Sequence, residues 1–265
     1  MAAIVPPGSK PWLTIGPQHL VTYAQDEAEA VLAGFAFGSE PLDWPWRFEP
    51  PKDHGLDSAP RATVRATWGY RTYDCAPCSP YAFDVADLLI VAALDAGASG
   101  DAILAMEAVL PDLNEVLAHI DLGQTFWTMS PDDLGATSPQ EGTPAWWLWR
   151  AWVLLRGAKG VGPTITDKVL HHKRPWLFPI FDDATRQAMG AESAWRVLHA
   201  ELQDQAAQFI YLEQWFAARA AERGGVGLSR LRIHDILHWG NIARGGAERE
   251  RLIHAGRSVL GRSTA

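Results

Sequence analysis

Residues 146–189, WWLWRAWVLLRGAKGVGPTITDKVLHHKRPWLFPIFDDATRQAM, constrain this chain more than any other stretch. Trp146, Trp149, Val153 and Arg156 recur at helical spacing, and Gly157 followed by Gly160-Val161-Gly162 supplies the positive φ that a tight reversal needs. One helix is therefore expected to stop near Gly157. Pro163 suits the first position of another, because its missing N–H would have had no partner there, and this second helix is expected over about 163–172. An apolar run, Leu177-Phe-Pro-Ile-Phe, then ends in Asp182 and Asp183. The remaining chain has to pack around a helical hairpin that carries a carboxylate pair behind it.

This arrangement resembles the helix-hairpin-helix of the DNA glycosylase superfamily, whose turn is Gly-Val-Gly and whose catalytic aspartate follows the second helix. From Gly160 to Asp182 is an offset of 22 positions, the offset of the endonuclease III-like members. The sequence departs from that pattern at three places. Ala158-Lys159 stand where the family has Leu-Pro, Ile165-Thr166 where it has Thr-Ala, and Thr164 where the lyase members carry a lysine nucleophile. The segments KRPWLFPIFDDATR and LRIHDILHW are also similar to an uncharacterised bacterial domain family carrying this hairpin.

The resemblance implies a mainly α protein. It would be a two-lobed helical bundle of the glycosylase type over residues 81–265, with an irregular N-terminal extension over 1–80 containing a short β-ribbon. It implies double-stranded DNA as partner, a phosphate held by Lys159, Gly160, Val161, Gly162, Thr164 and Lys168, and a monovalent cation at the turn carbonyls; no other cofactor is expected. Asp182 would be the catalytic carboxylate, stabilising an oxocarbenium-like sugar or activating water, with Asp183 and Trp176 beside it lining a pocket for a flipped base. Because Thr164 cannot form a Schiff base, hydrolysis would be monofunctional.

The physical basis for anion binding is independent of any family. Unsatisfied N–H groups at the start of a helix, with the positive end of its dipole behind them, suit a phosphate. Net charge is −8, but residues 1–149 hold 6 Lys/Arg against 20 Asp/Glu, whereas residues 150–265 hold 17 against 11. Within 150–174, Arg150, Arg156, Lys159, Lys168, Lys173 and Arg174 face only Asp167. Positive charge is therefore expected around the turn, and the acidic first half is expected to cover a basic face, either of a protein partner or of its own chain.

Taken in order, the chain predicts a first helix from Pro17 to about Gly34, then an irregular loop packed by Trp44, Trp46 and Phe48. Residues 62–73 alternate, with Val64, Ala66, Trp68 and Tyr70 on one side, and predict a strand. Helices are expected from Asp84, over about 101–110 and 112–120, for one turn at 130–134, and over 183–189, 191–201, 203–223, 229–243 and 247–259.

Other motifs compete. Cys75-Ala-Pro-Cys78 at a strand-to-helix junction resembles a thioredoxin active site, although no strand–helix–strand alternation follows; two free thiols in a loop is the simpler reading. Two cysteines are too few for a disulfide framework, an iron–sulfur cluster or a supported zinc site, so no metal is expected. His171 and His172 are expected as cations closing the second hairpin helix. His234 and His238 are expected on a helix face packed on the hairpin. Asp182 serves equally well as an N-cap of the next helix. No stretch is apolar for long enough to span a membrane, and the expected location is the cytoplasm. Two functional classes follow: a DNA-binding protein of glycosylase type acting on a modified or damaged base, or a non-enzymatic module that keeps the hairpin to contact DNA or protein. A thiol redox protein is a third.

Overall fold

The computed structural model describes residues 11–16, 21–38, 69–94, 97–135, 139–190, 194–242 and 246–262. The fold is mainly helical. Strand β1 (Leu13–Ile15) pairs antiparallel with β2 (Val21–Tyr23), Leu13 opposite Tyr23, and helix α1 (Gln25–Phe37) follows. A π-helical turn at Tyr70–Asp74 precedes α2 (Val85–Leu89), which runs into a 3-10 segment, Ile90–Leu94. Then come α3 (Gly100–Glu107), α4 (Leu110–Ala118), a 3-10 turn at Phe126–Thr128 and α5 (Pro131–Gly135). The hairpin helices are α6 (Pro144–Gly157) and α7 (Pro163–Lys173), followed by α8 (Asp183–Met189), α9 (Ala194–Asp204), α10 (Ala206–Ala221), α11 (Arg230–Ile242) and α12 (Ala247–Val259).

Local chemistry sets the ends that matter for the hairpin. Thr143 caps α6, its Oγ1 accepting the Trp146 N–H at 3.2 Å with Pro144 in the first turn, and the helix ends at Gly157 as its sequence predicts. In α2, Asp84 accepts the N–H groups of Ala86 and Asp87 while Asp87 accepts that of Asp84 at 2.8 Å, a reciprocal cap.

Two expectations are corrected near the N-terminus. The first helix does not begin at Pro17: Val21–Tyr23 are extended and α1 starts at Gln25, where Glu27 accepts the Ala24 N–H at 3.2 Å. The strand expected over 62–73 is not a strand across its last residues, because 69–74 turn helically; Tyr70 and Tyr73, three apart, are both buried, which helical spacing achieves and alternation does not. Residues 62–68, and with them Trp44, Trp46 and Phe48, lie outside the described residues.

The core's tightest contact joins the two ends of the described chain. Buried α1 is made of small residues, and its backbone meets that of α12: a Cβ on Gly256 would lie 1.8 Å from the Ala30 carbonyl oxygen, and one on Gly34 would lie 2.0 Å from that of Leu252. Charge reinforces the contact. Arg249 pairs with Glu27 at 3.1 Å, Arg257 with Asp26 at 3.7 Å and Arg262 with Glu29 at 2.5 Å. Part of the acidic N-terminal charge thus covers basic residues of the same chain. Helix α11 packs against α1, α12, α10 and α8, while α6 and α7 pack on each other and on α4, α2 and the 3-10 segment.

The glycine contact makes a sharp comparison possible. Gly256→Ala is expected to cost about 3 kcal/mol or more, because backbone must separate, lowering the thermal midpoint by roughly 6–12 °C. Gly157→Ala, whose Cβ meets nothing within 4 Å, should be neutral or slightly stabilising. Thermal unfolding of the two variants by circular dichroism checks both.

Candidate functional site at the helical hairpin

The turn between α6 and α7 takes the conformation that its glycines allow. Gly160 sits at φ +79°, the Val161 N–H donates to the Ala158 carbonyl at 3.1 Å, and Gly162 is the extended N-cap of α7. No side chain caps that terminus. Pro163 has no N–H to satisfy, so the opening of α7 offers its early amides with the helix dipole behind them. Val161 itself is buried, which anchors the loop from below.

The chain then returns to the same end of α7. The Thr164 hydroxyl donates to Asp183 Oδ1 at 3.4 Å, bringing the aspartate pair beside the turn. Asp182 is half-buried and caps α8, its Oδ1 accepting the Thr185 N–H at 2.7 Å; Oδ2 has no hydrogen bond among the described residues. Asp183 is exposed.

Asp167, which the sequence shows as the lone acid among six cations, turns out to hold this geometry together. Buried in α7, it accepts Trp152 Nε1 of α6 at 2.7 Å, Arg186 Nη2 of α8 at 2.5 Å and the Phe181 N–H at 3.2 Å. The last bond fixes the backbone one residue before Asp182. A second buried carboxylate, Asp235 of α11, pairs with Arg232 Nη1 and lies within the field of Asp182 and Lys168. Burial pushes Asp235 up to about 6 against the pull of Arg232, and the Asp182 charge adds to the rise. Burial likewise pushes Asp167 up to about 7, opposed by Arg186 and by the hydrogen bonds it accepts.

The other residues singled out by the sequence divide sharply. Lys159 and Gly160 are exposed at the turn. Lys168 instead directs its ammonium to the Leu94 carbonyl at 2.8 Å. Arg156 Nη1 donates to the Val161 carbonyl at 2.8 Å, so a guanidinium already serves a turn oxygen that a monovalent cation would use. Lys173 is fully buried, ion-paired with Asp87 at 2.5 Å and bonded to the Ser79 and Ala82 carbonyls at 2.8 and 2.6 Å. The positive field expected around the turn is therefore thinner than the count of cations, with Arg150, Arg156 and Lys159 as its exposed members. Trp176 is half exposed at the surface, and the cluster at 146–152 is used in packing: Trp147 stacks on His119 with centroids 4.1 Å apart, and Trp146 meets it edge-on.

Two histidine expectations are corrected. His171 and His172 are not helix-closing cations, because the last turn of α7 is buried. Burial drives His171 down to about 3, leaving a neutral ring whose Nδ1 bonds to the Phe178 carbonyl at 2.6 Å, and it pulls His172 down as well. His234 packs on α9 and α10 rather than on the hairpin, with Nε2 2.7 Å from Glu201 Oε2 and its ring beside Phe209.

Cys75 and Cys78 are free thiols, and burial pushes Cys78 above the usual thiol range, away from a reactive thiolate. Cys78 lines a pocket of about 540 Å³ with Pro77, Ser79, Asp84, Asp87 and His172. Among the described residues no group of three His, Cys, Asp or Glu gathers to hold a metal, and no helix is long and apolar enough to cross a membrane.

Residues 59–241 match a family described as "Family of unknown function (DUF6308)". Neither the curated proteins nor the solved structures contain a match to this chain.

The three bonds to Asp167 carry a pH signature. A carboxyl whose folded pKa is raised from 3.8 to about 7 binds its proton more tightly when folded, so its contribution to stability is lost as pH rises from about 4 to about 7. Asp167→Asn, neutral throughout, is expected to cost more at pH 5 than at pH 7.5, compared by urea unfolding. A cost that instead grows with pH would mean that the ionised carboxylate is the preferred folded form.

Proposed function

The chain belongs to the DUF6308 family of unknown function, and from the geometry of the hairpin we propose that it contacts the backbone of double-stranded DNA in the helix-hairpin-helix manner. The turn at 158–164 would seat one phosphate. The observation that carries this reading is the Thr164–Asp183 hydrogen bond, which sets the aspartate pair beside an uncapped helix N-terminus. A phosphate there would meet the early amides of α7, with Lys159 supplying the charge. Asp182 would then lie beside the strand and act on a base flipped out of the stack, its carboxylate stabilising the positive charge that develops on the sugar as the N-glycosidic bond breaks. The electron pair of that bond leaves with the base, and water completes the sugar.

A second reading has its own support. Lys173 and Lys168 are committed to internal partners, which leaves few exposed cations at the turn and favours a non-enzymatic module retaining the hairpin. One experiment separates the two.

Fluorescence anisotropy with plain duplex and with duplex holding a tetrahydrofuran abasic analogue should show tighter binding to the analogue. Lys159→Glu is expected to weaken both by about tenfold and to reduce the salt slope by about 1. Asp182→Asn, which still caps α8, should bind within about twofold of the native chain and release no base from a lesion-bearing duplex that the native chain cleaves. Absence of binding even at low salt would leave the hairpin as architecture.

A further inference from the structure

The far end of α7 holds a group that the hairpin reading does not use. Arg174 follows the last residue of the helix, about 16 Å from the turn at 1.5 Å per residue, and is only 8% exposed. Its backbone is fully engaged: the N–H donates to the Leu170 carbonyl at 3.0 Å, and the carbonyl accepts from Leu177 and Phe178 at 2.9 and 3.1 Å. Its side chain is not. Nε is shut off from solvent with no hydrogen-bond partner, and the guanidinium makes no hydrogen bond or ion pair among the described residues.

Such an arginine stands out against its neighbours. Lys173, one residue earlier, is buried with a carboxylate and two carbonyls around it, and Arg232 has two carboxylates. Arg174 has Asp121 in its surroundings but makes no ion pair or hydrogen bond with it. Burial pulls the guanidinium below its ordinary range, and the charge of Asp121 opposes that only in part. The planar fork of donors is matched by an oxyanion, which takes two parallel N–H bonds.

The surroundings suggest what carries that oxyanion. Tyr81 and Cys78 lie within the field of Arg174. Tyr81 is 69% exposed and Trp176, two residues along the chain, 50%. Exposed rings beside a buried cation offer a stacking surface next to a charge clamp.

We propose that Arg174 anchors a binding subsite for a phosphate monoester, with an attached ring lying against Tyr81 or Trp176, so that the ligand class is a nucleoside monophosphate, free or at the end of a strand. The site is separate from the hairpin turn and does not depend on the turn binding DNA.

Titration calorimetry of the full chain tests it with inorganic phosphate, adenosine monophosphate, adenosine and acetate, each at matched ionic strength. Adenosine monophosphate should bind more tightly than phosphate, phosphate more tightly than acetate, and adenosine weakest. Arg174→Gln should lose at least tenfold for the two phosphates, and Tyr81→Ala or Trp176→Ala should lower the nucleotide's advantage over phosphate alone. A 5′-phosphorylated oligonucleotide binding more tightly than its unphosphorylated twin, in a manner that Arg174→Gln removes and Lys159→Glu leaves intact, identifies a strand end as the source. Stability supplies a second readout. Without phosphate, Arg174→Gln should melt no lower than the native chain, because no hydrogen bond or ion pair of the side chain is lost, while added phosphate should raise the midpoint of the native chain only. A variant that melts lower without phosphate would show a structural role and overturn the proposal, as would phosphate binding no better than acetate or binding unchanged by Arg174→Gln.

Discussion

The hairpin and the aspartates behind it rest on one guanidinium in the interior. Arg232 of α11 donates Nε and Nη2 to the two oxygens of Asp74 at 2.8 and 3.1 Å and Nη1 to Asp235, and it lies over the rings of Phe35 and Tyr73. The fork fixes α11 to the helical turn at 70–74. Tyr73 in that turn passes the constraint on, its hydroxyl donating to the Lys168 carbonyl of α7 at 2.6 Å. Two carboxylates share one cation, and burial raises both against the pull of Arg232. Truncating one member of such a buried pair typically costs about 3–5 kcal/mol, because the remaining charge stays buried without its partner. That cost makes the relative placement of α7, α8 and α11 a property of the fold rather than of any ligand.

Much of this was legible where period and punctuation agree. Residues 183–189 and 247–259 are helices with the bounds their spacing predicts, and α6 stops at Gly157 because a glycine turn and a proline start follow directly. What escaped was held by distant partners. The strands β1 and β2 are three residues each, and distant helices serve their backbone: the Thr14 N–H donates to Gln205 Oε1 at 2.6 Å, that of Gly16 to Glu201 Oε1 at 2.8 Å, and the Thr22 carbonyl accepts from Arg249 of α12 at 2.9 Å. Nothing near Leu13 in sequence announces those bonds. The close approach of α1 and α12 was hidden likewise, since Gly34 and Gly256 look like ordinary helix weaknesses until each is seen to face backbone.

Charge was the property least readable from sequence, because a count of cations says nothing of their burial. Lys173 and Asp167 sit in a stretch that reads as a basic face, yet both are interior and paired. The acidic N-terminal half misleads in the opposite direction. Glu29 is buried in α1, where burial pushes its carboxyl up, but Tyr211, Gln25 and Arg262 together outweigh that and hold it ionised below its usual range. Patterning that looks like a surface field is in part internal bookkeeping of the fold.

The two ends of α7 make the remaining contrast. At its N-terminus the helix dipole favours an anion; no side chain caps the amides there, and Asp183 stands nearby on the Thr164 hydroxyl. At its C-terminus the dipole favours a cation, but that interaction is worth only about 0.3–1 kcal/mol, whereas removing a guanidinium from water costs several kcal/mol unless a counter-charge or hydrogen bonds replace the hydration. Lys173 meets that cost with Asp87 and two carbonyls. Arg174 has no such partner: its Nε is shut off from solvent without a hydrogen bond, and the dipole is too weak by itself to offset that. The imbalance lies in the partner, and an oxyanion is what would remove it.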